Sequence, residues 1–376
     1  MATTFKTLGA KDVTSTRSLL HEAIPITGSI VSGTYVQGGY AGTETNIRDY
    51  THGMFQSVYD YPYLSSSANH IFDLTMGYSA NSALSKSSLV AQNAKKINIY
   101  NQMAQVLMGF DHTGSVHEFD EDGDLSGGSK MRECFFVNFA RLLTKDEIKK
   151  GTFALTLGVS GAYNDFGAFV QRVQLADTNA ATSFKVNSPA GEYSILYATN
   201  VAGTELINPT AGTTAIKAGL IFYQAGVAVI TGSIFASQQT EPLGLLSGSG
   251  GPGEPLRFNA SEETVSAVMS GSTISAAAEG FRHRYENLNF NNTTELNSTI
   301  YFCRANNNDF NYSSNPSYLS ASKLRVKDNA SDPPLAYATT VGLYSPDNEL
   351  LATAKLSEPI KKDPTDEFTL RVRLDY

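Results

Sequence analysis

Apolar and polar residues alternate along the last forty residues of the chain. In the run 367–376, Phe368, Leu370, Val372 and Leu374 alternate with Thr369, Arg371, Arg373 and Asp375. A period of two predicts a half-buried strand, because successive side chains of a strand point to opposite faces. Two similar runs precede it, at 337–344 and 349–358, and turn-forming residues separate the three runs. This pattern predicts an antiparallel meander.

One segment has the periodicity of a long amphipathic helix. Between 88 and 110, apolar residues recur mostly at spacings of three and four, at Val90, Ala94, Ile97, Met103, Ala104, Leu107 and Phe110. This stripe predicts that Lys95 and Lys96 face outward. A weaker helical pattern covers 262–285, where Gly271 and Gly280 lower the helix propensity.

The other apolar runs predict strands. They lie at 133–143, 153–159 and 218–230, and the last of them reads as a hairpin that turns near Gly226. We therefore expect a mostly β fold of antiparallel sheets, β-sandwich-like, with one long helix near 88–110 and a weaker one near 262–285. The class is multidomain α+β.

Shifts in composition predict four segments. Residues 1–50 are punctuated by glycine, so they form either an extended N-terminal arm that reaches a neighbouring subunit or a strand of the chain's own sheet. A main β-rich domain with the long helix covers 51–243, a Gly/Ser/Pro linker covers 244–256, and a C-terminal β-rich domain covers 257–376. If the arm exists, truncation of 1–45 leaves a folded protein that fails to assemble.

Charge and composition exclude several classes of protein. The net charge of −8 argues against nucleic acid as a partner, since phosphate binding needs a basic surface. The 41% of hydrophobic residues indicate a folded chain. No run approaches 18 apolar residues, so we expect no membrane insertion, and the N-terminal residues lack the pattern of a signal peptide. Cys134 and Cys303 have apolar neighbours and are expected to be free thiols.

An acidic loop at 118–129 resembles a calcium loop in part. Counted from Glu118, acidic residues occupy positions 1, 3 and 5, and Gly123 occupies position 6, as in an EF-hand. Position 12 is Ser129 instead of a bidentate glutamate. We therefore expect a solvated acidic turn, with calcium binding as the alternative.

No other pattern predicts catalysis. The histidines lack the spacing of a zinc site, and no Gly-x-Ser-x-Gly motif is present to hold a nucleophile; they are His21, His52, His70, His112, His117 and His283. A Ser/His/Asp set that the fold alone brings together stays open. We expect no catalytic, cofactor-binding or metal-ligating residue, no cofactor and no small-molecule substrate, so the protein is not expected to be an enzyme.

Aromatic residues concentrate between 50 and 64. They are Tyr50, Phe55, Tyr59, Tyr61 and Tyr63. Tyrosine has an apolar ring and a polar hydroxyl, which suits both a protein interface and the edge of a core.

Six segments of the chain carry a family resemblance, and they lie at 20–28, 58–70, 93–105, 311–316, 339–344 and 350–356. They resemble segments of a virion structural protein of large contractile-tailed bacteriophages, including those that infect cyanobacteria. The resemblance implies a location in the virion, a baseplate or tail role, and copies of the chain and other virion proteins as partners. It carries over no functional residues, because none of the segments is a catalytic motif. A neck or capsid-associated protein and a receptor- or glycan-binding tail protein are the alternatives.

Overall fold

The structure is a computed structural model, and its contacts divide the chain into two compact units. Unit 1 comprises Met1–Leu19 and Glu295–Tyr376, and unit 2 comprises Leu20–Thr294. The described residues are 5–35, 44–86, 91–159, 171–199, 216–235, 248–249, 257–258, 269, 273–312, 319–320, 323–324, 331 and 334–376.

The strands and helices follow one another along these ranges. The strands are β1 (Val13–His21), β2 (Ile26–Gly28), β3 (Ile47–Asp49), β4 (Gln56–Tyr59), β5 (His70–Tyr78), β6 (Phe119–Asp120), β7 (Lys130–Met131), β8 (Glu133–Asn138), β9 (Glu147–Ile148), β10 (Ala154–Val159), β11 (Gln171–Ala176), β12 (Tyr193–Thr199), β13 (Lys217–Phe222), β14 (Val227–Thr231), β15 (Gly248–Ser249), β16 (Arg257–Phe258), β17 (Tyr285–Phe290), β18 (Asn292–Ala305), β19 (Leu319–Ser320), β20 (Lys323–Leu324), β21 (Ala336–Tyr344), β22 (Leu350–Lys362) and β23 (Phe368–Asp375). The α-helices are α1 (Asn93–Leu107), α2 (Ala180–Ser183) and α3 (Ile274–Arg284).

Unit 2 is built on one large antiparallel sheet. Its strand order is β2-β17-β10-β11-β12-β13-β14-β8-β5-β4-β3. The interior strand β14 is buried at all five positions, so both of its faces contact protein, and its sequence is an uninterrupted apolar run followed by threonine. The observed strands confirm the predicted mostly β class, and none of the described helices is long and apolar enough to cross a membrane.

The large sheet curls around α3. Tyr285 of β17 and Phe72 of β5 stand near opposite ends of the strand order, yet their ring centroids are 4.7 Å apart. The Phe281 ring of α3 stacks at 5.2 Å on Phe135 of β8. Eight of the eleven residues of α3 are buried. The weaker predicted helix is confirmed over 274–284, whereas most of 262–272 lies outside the described residues.

Charged side chains of α3 are buried with this helix. Arg282 is 1% exposed; its Nη2 lies 2.8 Å from Glu44 Oε2, and its Nε donates to Gln56 Oε1 at 3.3 Å. A buried cation is tolerated only when it is paired and hydrogen-bonded. Since both partners precede β5 in the chain, this ion pair fastens the early residues of unit 2 to α3.

The long predicted helix is confirmed as α1, but its buried face differs from the predicted one. Lys96 is fully buried, and its Nζ donates to Met269 O at 2.6 Å. Phe110 lies beyond the helix and is exposed. The prediction that Lys96 faces outward is wrong because the buried residues follow the spacing 96, 99–100, 104 and 107. Burial lowers the pKa of the Lys96 ammonium to about 8.

In unit 1, β23 pairs with β18 and not with the neighbouring hairpin of β21 and β22. The predicted alternation of β23 is confirmed, since its apolar positions are the less exposed ones. The predicted meander is wrong at its last strand. Lys362 is the last residue of β22, and its Nζ donates hydrogen bonds to Asn307 O, Asn311 Oδ1 and Asp363 O. These bonds hold the end of β22 at the turn after β18, and β23 then continues alongside β18.

The observed units differ from the predicted segments, because distant strand pairs define them. Within 1–50, β1 lies beside β18, and β2 and β3 belong to the large sheet, as the own-sheet alternative expected. The first residues of the chain belong to unit 1 together with the residues after 294. The local composition of the sequence does not predict this grouping. The predicted linker 244–256 lies outside the described residues except at β15. Truncation of 1–45 would remove β2 and buried Tyr35, so we now expect it to disrupt unit 2.

Gly77 sets the distance between β5 and α1, which predicts a large effect of one methyl group. A Cβ at Gly77 would lie 2.5 Å from Lys96 O and 2.9 Å from Tyr100 N, and these backbone atoms cannot rotate away. We expect Gly77→Ala to lower the free energy of unfolding by about 2 kcal/mol, measured by urea denaturation. Gly342→Ala is the matched control, because its Cβ would meet side-chain atoms of Tyr344 and Leu350, which can rotate away, and no backbone atom. Equal losses in the two variants would contradict the role of Gly77.

Candidate functional site

Unit 1 has strands but little buried apolar surface. Among its described residues, the buried hydrophobic side chains are Ala305, Ala336 and Val372, and the continuous hydrophobic core lies in unit 2. Its exposed large apolar residues are Phe5, Leu8, Val13, Leu19, Phe310, Tyr312, Tyr337, Tyr344, Leu350, Leu351 and Tyr376. An isolated two-stranded hairpin is marginally stable in water, so strands of this composition normally bury a face against a further partner.

Three of these residues form a patch at the turn end of the β21–β22 hairpin, which we call the hairpin patch: Phe5, Tyr344 and Leu350. The Phe5 and Tyr344 ring centroids are 4.6 Å apart. Tyr344 pairs with Leu350 across the hairpin, and the Tyr344 ring lies over Gly342. The hairpin patch is therefore a contiguous apolar surface.

Local turn chemistry positions the hairpin patch. Ser345 N donates to Glu349 O at 2.9 Å, and the Ser345 hydroxyl accepts from Glu349 N at 3.1 Å. Asn348 takes a left-handed conformation with φ of 66°, which asparagine tolerates. Lys6 forms an ion pair with Asp309 beside Phe5 in the sequence, and the Lys6 hydrogen bond lowers the pKa of Asp309. The turn predicted between the two runs is thus confirmed.

β1 adds an open edge to unit 1. It is an edge strand in the order β1-β18-β23 of the described residues, and all nine of its residues are exposed. Arg17 pairs with Glu295 at 2.6 Å, which holds β1 against β18. An edge strand offers unpaired backbone groups to another chain, so β1 is a second feature of unit 1 that suits assembly.

The acidic loop brings together a different set of carboxylates from the predicted one. Ligand oxygens of Asp120, Asp122 and Asp124 lie within 4.8 Å of one another, and among the described residues this is the group that could hold a metal ion. Glu118 turns away to accept hydrogen bonds from Ser79 and Asn81. Lys130 pairs with buried Asp120, whose pKa burial raises, so a lysine supplies the countercharge here.

The structure also brings a serine, an aspartate and a histidine together. Ser57 Oγ donates to Asp73 Oδ1 at 2.5 Å, and His70 Nε2 lies 2.7 Å from the same oxygen. Here the aspartate lies between the other two residues, whereas a nucleophilic triad needs the histidine to contact the serine. This cluster therefore lacks the geometry of a catalytic triad.

The remaining candidate residues lie apart from the hairpin patch in the sequence, and three of the histidines have partners in the structure. His21 contacts Thr293 Oγ1 at 2.9 Å, His52 stacks on Tyr50 at 5.3 Å, and His283 lies 3.6 Å from Glu44. His112 is exposed and His117 is half-buried. Of the aromatic residues at 50–64, Tyr63 is exposed and the other four are half-buried.

Both cysteines are free, as expected. Cys134 is buried and its pKa is raised by burial, so its thiol is the stable form at neutral pH. Cys303 is half-buried on β18.

Sequence reasoning missed the hairpin patch, although a signal was present. Leu350 and Leu351 are adjacent in a predicted strand, where neighbouring residues point to opposite faces. One leucine must then lie on the outer face of the hairpin. The contact of Phe5 with Tyr344 joins the two ends of the chain, and no local pattern could predict it.

Comparison with known proteins gives no match: no protein-family model, no curated protein and no solved structure matches the chain.

Lys130→Met tests the countercharge in the acidic loop. The substitution leaves the Asp120 carboxylate buried without its cation, so we expect a loss of about 2 kcal/mol in the free energy of unfolding at pH 7. Lys130→Arg keeps the charge and is the control. A rise in the melting temperature of the unsubstituted protein with 1 mM calcium would contradict this assignment and indicate a cation site.

Asp177 makes unit 2 sensitive to pH. Its carboxylate accepts from Gly151 N, Phe153 N and Tyr223 OH at 2.7–3.0 Å, but burial outweighs these bonds and raises the pKa of Asp177 to about 6. Between about pH 4 and pH 6 the folded state then binds more protons than the unfolded state, so stability falls as the pH rises.

We expect Asp177→Asn to remove this contribution. Relative to the variant, the unsubstituted protein should lose up to about 3 kcal/mol between pH 4 and pH 7, a figure that follows from about two pKa units. Urea denaturation of both proteins at the two pH values measures the difference. A difference that stays constant with pH would show that Asp177 does not titrate in this range.

Proposed function

We propose that the protein is a structural component of a bacteriophage virion, a baseplate or tail assembly protein that acts through protein–protein interfaces. One observation carries the proposal: the described strands of unit 1 expose large apolar residues and bury few of them. The kind of particle is inferred from the resemblance of segments between 20 and 356 to virion proteins of contractile-tailed phages.

The mechanism is burial of unit 1 on assembly. Removal of apolar surface from water contributes roughly 25 cal/mol per Å². The hairpin patch supplies apolar contacts, and β1 supplies backbone hydrogen-bonding groups along its free edge. The partners are copies of this chain and other virion proteins. We propose no nucleic acid, small-molecule substrate or cofactor as a partner of this surface.

A receptor- or glycan-binding role is the second candidate, and one observation favours it. The rings of Tyr50, His52 and Phe55 lie within 4.7–5.3 Å of one another, and Arg48 lies 4.9 Å above the Tyr50 ring. His52 and Arg48 are exposed, so part of this aromatic cluster is open to solvent. Aromatic faces of this kind suit stacking against a ligand. A neck or capsid-associated role is a further alternative within the virion.

Cryo-electron microscopy of the phage particle that contains the gene for this chain tests the proposal. We expect density for the chain at the distal end of the tail, with unit 1 in contact with neighbouring chains. Such contacts would remove the exposed apolar residues of unit 1 from water. Density at the neck or capsid would contradict the baseplate location and support the alternative location. Absence from purified particles, checked by mass spectrometry, would contradict the structural role.

A further inference from the structure

We propose that the edge of β18 is a strand-exchange site, at which the first residues of a second copy of this chain replace those of the chain itself. We call residues 5–21, which end with β1, the N-terminal segment. The inference deepens the proposed function, because it names the partner of unit 1, and it rests on that function for the assembly role. The contacts between the N-terminal segment and β18 carry the argument.

The N-terminal segment follows β18 and the turn after it in the opposite direction. Ser15 Oγ lies 3.3 Å from Thr299 Oγ1. Three ion pairs join the two parts of the chain, and they are Lys6–Asp309, Asp12–Arg304 and Arg17–Glu295. As the residue number rises along the segment, the number of its partner falls, which is the register of an antiparallel pair.

The charges of these pairs define which strand fits the edge of β18. Along the N-terminal segment the paired charges are positive, negative and positive, and along β18 and its turn they are negative, positive and negative. Complementary charge patterns favour one partner in one register over others. The sequence that carries the matching pattern is the N-terminal segment itself, so the occupant that fits the edge is the same segment from a second copy.

The N-terminal segment is held without a buried side chain. Asp12 is half-buried and the other residues of the segment are exposed, including Val13, Leu19 and Leu20. Exposed ion pairs contribute little individually, and salt screens them. Opening of the segment therefore loses little apolar burial, and the hydrogen bonds and ion pairs that it breaks form again with a second copy.

The connections of the chain permit the exchange. Unit 1 comprises Met1–Leu19 and Glu295–Tyr376, and the whole of unit 2 separates these parts in the sequence. The loop 22–25 between β1 and β2 can serve as the hinge, since Ile24 is 78% exposed and precedes Pro25. A residue before proline favours extended backbone, which is the conformation that an open segment needs. Reciprocal exchange of a terminal element between two copies gives a dimer at little cost.

Exchange also makes the hairpin patch an intermolecular contact. The Phe5 ring belongs to the N-terminal segment, and its centroid lies 4.6 Å from that of Tyr344. In the exchanged dimer Phe5 of one copy contacts Tyr344 of the other copy. An apolar contact at the end of the segment thus accompanies the charge pattern along it.

A mixing experiment with two charge-reversed variants tests the exchange. The first variant carries Asp12→Lys and Arg17→Glu, and the second carries Arg304→Asp and Glu295→Arg. Each variant keeps the net charge of −8, so the two have no general attraction for each other. Like charges meet at both positions within either variant, whereas the exchanged heterodimer has opposite charges at all of them. We expect sedimentation velocity to show a heterodimer in the mixture that is at least about tenfold tighter than the association of either variant alone.

Arg172→Glu and Glu286→Arg form the matched control pair. These two residues make an ion pair within unit 2 to which the N-terminal segment does not contribute, so their mixture should not associate. Circular dichroism checks that all four variants are folded. A mixture of the segment variants that associates no more tightly than each variant alone would overturn the proposal. Equal association in the control mixture would overturn it too, because charge reversal anywhere in the chain would then suffice.

A disulfide trap identifies the exchanged strand. Ser15→Cys and Thr299→Cys are placed in separate chains, and both chains carry Cys303→Ser, which removes the free thiol of β18. We expect oxidation of the mixture to give a disulfide-linked dimer whose bridge joins positions 15 and 299, identified by mass spectrometry. Each variant oxidised alone is the control. Absence of this bridge from the mixture would overturn the proposal.

The tests of the two proposals fail separately. A chain that does not exchange in solution but is present in the particle contradicts the strand-exchange site and leaves the virion role standing. A chain that exchanges in solution but is absent from the particle contradicts the virion role and leaves the strand-exchange site standing.

Discussion

Burial of α3 inside the curled sheet is the contact on which unit 2 depends. The helix contacts β5 and β10, and its Phe281 ring stacks on β8. It also brings Arg282 into the interior, where the guanidinium needs Glu44 and Gln56 to offset the loss of hydration. The burial of α3 therefore depends on two groups of residues. Strands of the large sheet cover its apolar side chains, and polar residues from the start of unit 2 pair with its arginine. The core of unit 2 therefore combines residues from three separate parts of the chain.

Unit 1 follows a different principle. Its polar anchors, such as the Lys362 ammonium among three acceptor oxygens, fix the path of the chain without a large apolar core. Hydrogen bonds of this kind specify geometry, whereas their net contribution to stability is modest. Among the described residues of unit 1, eleven large apolar side chains are exposed and three apolar side chains are buried. This contrast with the continuous core of unit 2 is consistent with the proposed assembly role.

Local periodicity predicted what is local in this fold. The position of α1, the alternation along β23 and the turn at 345–348 all follow from neighbouring residues. Errors arose where distant residues decide the outcome. Lys96 is inside because the Met269 carbonyl meets its ammonium, and β23 joins β18 because Lys362 holds the preceding strand elsewhere. The hairpin patch combines Phe5 with Tyr344 and Leu350, and the acidic cluster contains Asp124 where an EF-hand numbering would use Glu118. Pairing between strands this far apart in the sequence cannot be predicted from the residues around either strand.

The open edge of β1 bears on how such a protein is made in a cell. A nine-residue strand that is exposed along its whole length can template the addition of any extended chain, including nascent or misfolded ones. Premature polymerisation is then a competing reaction whose rate rises with the amount of unassembled protein. Under the proposed assembly role, synthesis in balance with the partner proteins would keep that amount low. The exposed edge of β1 would then make the expression level of the protein relevant to its folding.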